Sequence, residues 1–211
     1  MNGHGYYREM PQLTQDPNER PRRRRGEVLE RALYEATLAE LGAVGYGGLT
    51  MEGIAARAQT GKAALYRRWC RKRDLVHAAL DFALPPLPEP RARRSARSNL
   101  LTLLTAHRDI LAGKTGFPGA EIIGQLVHEP EFRAIFADAV VGPRLKIVES
   151  ILRDAIDDRD IDPATVTPFT ARIGPALISQ HFLLTGVPPN RRELELIVDT
   201  VIPPRPVAGV V

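Results

Sequence analysis

Basic side chains are concentrated in one short segment of the chain, residues 57–73, which contains no aspartate or glutamate. Its cations are Arg57, Lys62, Arg67, Arg68, Arg71, Lys72 and Arg73. A solvated helix face normally mixes acids with bases at i,i+4 spacing. An acid-free cluster therefore favours phosphate groups as the counterions over a merely solvated basic face.

The net charge of the chain is distributed unevenly. Residues 1–75 carry 14 lysines and arginines against 9 acids, whereas residues 76–211 carry 15 against 16, and the whole chain has a net charge of +4. All of the basic excess thus lies in the first third. This asymmetry predicts a protein that contacts a polyanion through one end only.

Helical patterns on both sides of the basic segment predict the elements that position it. Apolar residues recur at three- and four-residue steps from Val28 to Val44, and this first helix is expected to end in the run Gly45–Gly48. Thr50 is placed to be the N-cap of a second, short helix of about two turns. A break at 59–61 precedes a third helix, and a fourth begins at Lys72 and stops before two prolines.

Two short helices separated by a three-residue break, the second of them basic, are typical of a helix-turn-helix. Ala55 is small where the two helices must approach each other, and Leu65 is expected to fill the space between them. Trp69, on the same face as Leu65, is interpreted as a core residue beneath the basic helix rather than as a stacking residue.

The remainder of the chain predicts further helices. The helical period returns in at least four stripes after a linker rich in proline and arginine, and no stretch alternates with period two over the length of a strand. We therefore expect an all-α protein with an N-terminal three-helix helix-turn-helix domain and a C-terminal helical bundle. The expected divisions are a disordered basic arm (1–25, with Arg22–Arg25), the DNA-binding domain (26–80), the end of helix four with the linker (81–98), the bundle (99–203) and a tail (204–211).

Three segments carry a resemblance to a known family: 49–58 (LTMEGIAARA), 61–69 (GKAALYRRW) and 72–75 (KRDL). Together they resemble the DNA-binding domain of the TetR/AcrR family of transcriptional regulators. The match covers about residues 26–80. Beyond it, the chain resembles the family only in length, in helicity and in a C-terminal helix pair that includes Gly174-Pro175.

The resemblance implies a set of DNA-binding residues. Thr50 caps the second helix and can bond a phosphate, and Tyr66 and Lys72 are expected at the phosphate backbone. Arg67 and Arg68 are the candidates for a guanine or phosphate contact. The full set is Thr50, Thr60, Lys62, Ala63, Ala64, Tyr66, Arg67, Arg68 and Lys72, of which Ala63 and Ala64 offer small faces to a thymine methyl or allow close approach to the groove.

The sequence departs from the family pattern at two places. Gln59 stands where members usually have a glycine, and if its φ is positive, glutamine costs about 1 kcal/mol relative to glycine. Cys70-Arg71 replaces a small or proline-containing pair, and the added arginine is expected to strengthen phosphate contact. A redox role for Cys70 is the less favoured alternative, because redox sensors usually need a resolving cysteine and this single cysteine has none in its own chain.

The resemblance also implies a homodimer and a small-molecule effector. A dimer doubles the base contacts of one recognition helix, and we expect its interface in 165–185 and 191–202, with Ile173 and Val198 facing the partner. Candidate effector contacts are His107, Phe117, Gln180 and His181, with the two histidines alternatively satisfied in the core. An effector acts by favouring the conformer whose half-site spacing no longer fits DNA.

The resemblance, together with the basic helix-turn-helix, implies a ligand-responsive repressor that binds double-stranded DNA. We expect it to be cytoplasmic and nucleoid-associated and not to be an enzyme. No metal, cofactor or membrane span is expected, because the five histidines lack ligand spacing and the longest uncharged stretch is broken by prolines. One alternative is a nonspecific nucleoid-type DNA-binding protein. Another is an enzyme on a helical bundle, for which His107, Glu121 and His181 would be the available groups.

Overall fold

The computed structural model describes residues 26–115 and 117–203, apart from the side chain of Ala120. This part of the chain is all-helical and contains no strand, as predicted. The expected basic arm, with Arg22–Arg25, and the expected tail lie outside the described residues. The helices are α1 (Glu27–Gly48), α2 (Met51–Arg57), α3 (Lys62–Tyr66), α4 (Lys72–Ala83), α5 (Ala96–Leu111), α6 (Gly119–Gln125), α7 (Pro130–Phe136), α8 (Gly142–Asp157), α9 (Thr170–Thr185) and α10 (Arg191–Val201).

Helices α1 to α4 pack around one apolar core. Leu33, Ile54, Leu65 and Leu75 are each fully buried there. The Thr50 hydroxyl accepts a hydrogen bond from the Gly53 N–H at 3.0 Å, which confirms its predicted role as the N-cap of α2. The core thus fixes the directions of α2 and α3, the two helices of the predicted helix-turn-helix.

Helix α1 bends sharply near its C-terminal end. Gly45 has φ 70° and ψ 172°, a non-helical conformation inside an otherwise continuous helix. Positive φ is open to glycine because it has no Cβ. The glycine run predicted to end the first helix therefore contains a kink before the helix ends at Gly48.

Helices α7 and α8 are joined by a π-helical turn, Ala137–Val141. Pro143 follows this turn and has no backbone N–H, so a regular i→i−4 ladder cannot run through it. The wider turn accommodates the proline, with the Gly142 N–H donating to the Ala137 carbonyl five residues earlier. The sequence did not predict α7, because this seven-residue helix has only two buried residues, Phe132 and Ile135, which is too few to show a helical period.

Helices α5, α8, α9 and α10 enclose the second core. Gly174 allows the close approach of α9 to α5, because a Cβ at this position would lie 2.8 Å from Leu104 Cδ1. Helix α10 starts with a capping box between Asn190 and Glu193. Val198 is fully buried in this core and Ile173 is half-buried against it, so the expectation that Val198 faces a partner subunit is wrong.

Helices α1 to α4, the N-terminal unit, share apolar contacts with the helices that follow them. Phe132 of α7 stacks on Tyr46 of α1 with 5.5 Å between the ring centroids. Phe117 and Ile122 join the same buried cluster as the core of α1 to α4. Helices α6 and α7 therefore connect the N-terminal unit to the bundle. Among the described helices, none combines the length and apolar character that crossing a bilayer requires.

Candidate functional site

The turn between α2 and α3 sets the angle of the basic helix. Gln59 has φ 53°, so the family-atypical residue adopts the left-handed conformation considered above. The Gln59 N–H donates to the Ala56 carbonyl at 3.0 Å, and the Thr60 N–H donates to the Ala55 carbonyl at 2.9 Å. This pair of bonds is a Schellman motif, which ends α2 with its last carbonyls satisfied.

Helix α3 presents one polar face to solvent. Lys62, Ala63 and Arg67 are exposed, and the Tyr66 side chain is 47% exposed. Ala64 and Leu65 point to the core, at 7% and 0% exposure. The structure therefore places Ala64 beneath the exposed face, where its small size permits packing and leaves no surface for a base.

Carboxylates of α1 and α2 pair with three cations of the basic segment. Arg57 Nε lies 2.7 Å from Glu40, Lys62 Nζ lies 3.1 Å from Glu52, and Arg68 Nε lies 3.3 Å from Glu30. The idea that the whole cluster is unpaired is therefore wrong, because the fold brings α1 and α2 carboxylates to it. These pairs are largely exposed, and each contributes little to stability.

The remaining cations differ in their surroundings. Arg67 and Arg71 are exposed and form no ion pair within the described residues, and Arg73 lies 4.0 Å from the neighbouring Asp74. Cys70 is an exposed free thiol between them. Arg67, which directly follows α3 and continues its exposed face, therefore has a guanidinium available to a phosphate or a base.

Lys72 is held against the C-terminal end of α1. Its Nζ donates to the carbonyls of Tyr46 at 2.8 Å and Leu49 at 3.2 Å, and it lies 4.3 Å from the centroid of the Tyr46 ring. An ammonium group has three donors. Lys72 thus satisfies carbonyls at the end of α1 with two donors and has one left for a phosphate.

Trp69 is half-buried and packs on the N-terminal core. Its ring makes an edge contact with Tyr34, with 5.6 Å between the centroids. This position confirms the interpretation of Trp69 as a core residue beneath the basic helix.

The bundle contains a cavity of about 630 Å³, bounded by the linker and by helices α5 to α9. Its walls are mainly apolar, and the polar side chains among its described lining residues are those of His107, Arg144, Arg172 and Ser179. Arg172 is exposed, so the cavity reaches the surface near it. A cavity of this size and lining is typical of a site for a small apolar molecule.

Two of the four predicted effector contacts lie at this cavity. Phe117 and His107 line it, whereas Gln180 is exposed on α9 and neither it nor His181 belongs to its lining. His107 Nε2 is 3.4 Å from Ser179 Oγ. Burial, reinforced by the charge of Arg144 and opposed by a hydrogen bond to the Pro175 backbone, lowers the pKa of His107 to about 4, so the ring is neutral at pH 7.

Two further residues with notable contacts, Arg144 and Gln125, were not among the residues predicted from the sequence. Arg144 lies in the cavity wall at 9% exposure, in register with the buried stripe Val148, Ile151 and Ala155. That register was a detectable signal, since a charged residue on an apolar stripe requires a reason. Gln125 is also a polar residue on an apolar helix face, because it lies three residues after the fully buried Ile122.

Gln125 joins α6 to the kink in α1. Its Oε1 accepts from the Tyr46 N–H at 3.0 Å, and its Nε2 donates to the Leu41 carbonyl at 3.1 Å. Ile123 of α6 and Leu126, which directly follows α6, line the cavity. One short helix therefore contacts both the cavity and the α1 backbone of the N-terminal unit.

Comparison with known sequences matches both parts of the chain. Residues 33–79 match the family described as bacterial regulatory proteins, tetR family, and residues 91–201 match the tetracyclin repressor-like C-terminal domain. An uncharacterised HTH-type transcriptional regulator of Mycobacterium tuberculosis is 28% identical over 178 residues, which cover 83% of this chain and 86% of the relative.

One further sequence relative matches the N-terminal unit, and one solved structure matches the fold. The DNA-binding transcriptional repressor TetR of Mycobacteroides abscessus is 42% identical over 57 residues, which are 27% of this chain and 30% of that protein. FadR from Bacillus subtilis, solved in complex with stearoyl-CoA, has the same fold with a TM-score of 0.64 and 14% identity, covering 82% of this chain and 97% of that one. The chain therefore belongs to the TetR family and is a helix-turn-helix transcriptional regulator.

Proposed function

We propose that this regulator is a repressor that binds a pseudo-palindromic operator as a homodimer and is released from it by a small molecule. The observation that carries the proposal is the exposed face of α3, where Lys62, Tyr66 and Arg67 project from a helix held by a buried core. A major groove admits a helix of this kind.

The exposed residues take different roles at the groove. Arg67 is the residue we assign to a base edge, because it forms no ion pair within the described chain. Tyr66 and the third donor of Lys72 bond phosphates, and Thr50 and Thr60 lie at the helix starts that face them. Lys62 and Arg68 can exchange their carboxylate partners for phosphates. Ala63 lets the helix sit close to the bases.

The dimer interface is proposed on the outer faces of α9 and α10. Large apolar side chains are exposed there: Leu177 (38%), Leu183 (62%), Leu184 (76%) and Leu196 (60%). Leu177 and Leu184 are seven residues apart and share one face of α9. A cluster of exposed leucines marks a protein–protein contact, and two-fold pairing of this face would bury it in a four-helix bundle.

The cavity is proposed as the effector site, and α6 as the element that transmits occupancy. A ligand against Ile123 and Leu126 acts on the same short helix that holds the Tyr46 backbone through Gln125. FadR, a structural neighbour with a ligand in its structure, supports such a site in this fold. An effector needs only to bind better to the conformer whose two α3 helices no longer fit the operator.

The domain boundaries we propose are the DNA-binding domain at 26–80, the linker to 98 and the effector and dimerisation domain at 99–203. A protein that acts on the genome in this way is cytoplasmic and associated with the nucleoid.

Selection from a random duplex library by the full-length protein tests the DNA-binding function. We expect one enriched pseudo-palindrome, bound at least about 10³-fold more tightly than scrambled duplex at physiological salt. Equal affinity for all sequences, with the same loss on adding salt, would instead identify the nonspecific nucleoid-type protein.

Arginine substitutions locate the base contact. Arg67→Ala is expected to relax the preference at one position of each half-site and to cost about 1–3 kcal/mol of binding. Arg153→Ala removes the same charge from an exposed position on α8 and is the matched control. If both variants bind the operator equally well, Arg67 has no role in recognition.

A further inference from the structure

The Arg144 guanidinium lies buried in the cavity wall without a carboxylate partner. Its Nη1 donates to the Val140 carbonyl at 2.8 Å, and its Nη2 is buried with no hydrogen-bond partner in the described chain. Nη2 has almost no surface open to the cavity, so an anion in the cavity reaches it when the Arg144 side chain turns toward the ligand. No ion pair joins Arg144 to any described acid, and burial lowers its pKa. Guanidinium nonetheless remains charged in proteins.

An uncompensated buried cation is unfavourable in the empty protein. Removing a charge from water is unfavourable unless an opposite charge and hydrogen bonds compensate. One bond to the Val140 carbonyl satisfies one of five N–H donors. The unpaired charge therefore destabilises the ligand-free protein. A ligand whose anion pairs with Arg144 removes this destabilisation, and the gain appears as binding free energy.

The rest of the cavity restricts what the anion can be attached to. The neutral His107 ring and the Ser179 hydroxyl, 3.4 Å apart, are the uncharged polar side chains among its described lining. Apart from Arg144 and Arg172, the rest of the wall consists of leucine, isoleucine, valine, proline, phenylalanine, alanine and glycine. One buried cation matches one carboxylate in charge and in fork geometry, whereas a diphosphate would require more cations within the cavity.

We propose that the effector is an apolar molecule with a single carboxylate, such as a medium-chain fatty acid, and that Arg144 binds the carboxylate. The proposal rests on the cavity being the effector site. The ligand's chain lies against the apolar wall, and His107 and Ser179 are neutral hydrogen-bonding groups beside the head. The exposed Arg172 stands at the mouth and is not the primary anion contact.

Calorimetric titration of the full-length protein with decanoate and with decanol, both without DNA, tests this assignment. We expect decanoate to bind the wild type at least about tenfold more tightly than decanol, since hydrogen bonds to charged groups contribute that much. Arg144→Gln is expected to abolish this difference by weakening decanoate alone. Arg172→Gln, the same change at an exposed arginine of the same cavity, is the matched control and should alter the ratio by less than about threefold.

Several results would overturn the assignment. These are equal binding of acid and alcohol, an unchanged ratio in Arg144→Gln, a larger effect of Arg172→Gln, or binding of decanoyl-CoA that is tighter than that of decanoate and independent of Arg144. Thermal unfolding of ligand-free Arg144→Met gives a second readout, expected to show a higher Tm because the unpaired charge is removed. A lower Tm would contradict the strained-cation argument. Because none of these assays contains DNA, their failure is distinct from a failure of operator binding.

Discussion

The bridge from Gln125 to α1 is expected to stabilise the whole molecule. Its side chain makes two hydrogen bonds to the α1 backbone, at 3.0 Å to the Tyr46 N–H and at 3.1 Å to the Leu41 carbonyl. A typical bond of this kind contributes about 0.5–1.5 kcal/mol, and a buried donor left unpaired costs about 1–3 kcal/mol. We therefore expect Gln125→Ala to lower the free energy of unfolding by about 2 kcal/mol.

Chemical denaturation and amide exchange measure this effect. The loss corresponds to a fall in Tm of about 4–8 °C for a chain of this size, and the Tyr46 amide should exchange faster because its acceptor has been removed. Gln125→Met keeps the length of the side chain and removes both polar atoms, so it should match the alanine variant. Gln125→Glu keeps the acceptor for the Tyr46 N–H, so the Tyr46 amide should stay protected, but its second oxygen faces the Leu41 carbonyl and the variant should lose at least as much stability as Gln125→Ala.

Two outcomes would refute the reasoning on Gln125. A Gln125→Ala protein within about 0.5 kcal/mol of the wild type would show that water replaces the bridge at no cost. Unchanged exchange at Tyr46 would show that its N–H finds another acceptor within the bent end of α1. In either case α6 would not hold the N-terminal unit through this contact.

Three further predictions concern single side chains. Gln59→Gly should raise the free energy of unfolding in urea by about 0.5–1 kcal/mol, because glycine adopts φ 53° without strain; no gain would mean that the turn relaxes around glutamine. His107 has a folded pKa of about 4, below its ordinary 6.5, so the unfolded chain binds the extra proton between these values and stability falls as pH drops through that range. His107→Gln should flatten that part of a stability–pH curve, and an unchanged slope would assign it to other groups. Leu184→Asp should yield monomers in sedimentation, whereas Val127→Asp, at an equally exposed apolar position after α6, should not; a dimer that persists in Leu184→Asp would place the interface elsewhere.

The N-terminal unit followed from the sequence because its determinants are local. Thr50 caps α2 through a bond to a residue three positions away, and the break before α3 is a turn closed by neighbouring backbone groups. Helical periodicity and capping residues depend on such short-range contacts. The all-α class, the helix-turn-helix and the position of Leu65 in its core were therefore predictable.

Contacts between distant segments decided the rest. The carboxylates of Glu30 and Glu40 reach the basic segment only because α1 packs across it, which no spacing in the sequence indicates. Val198 lies on the apolar face of α10, and only packing showed that the subunit's own core covers this face. The cavity, the unpaired Arg144 in its wall and the link from Gln125 to the α1 kink all depend on how five helices meet. Sequence patterns report which faces are apolar, whereas the partner of each face is set by long-range packing.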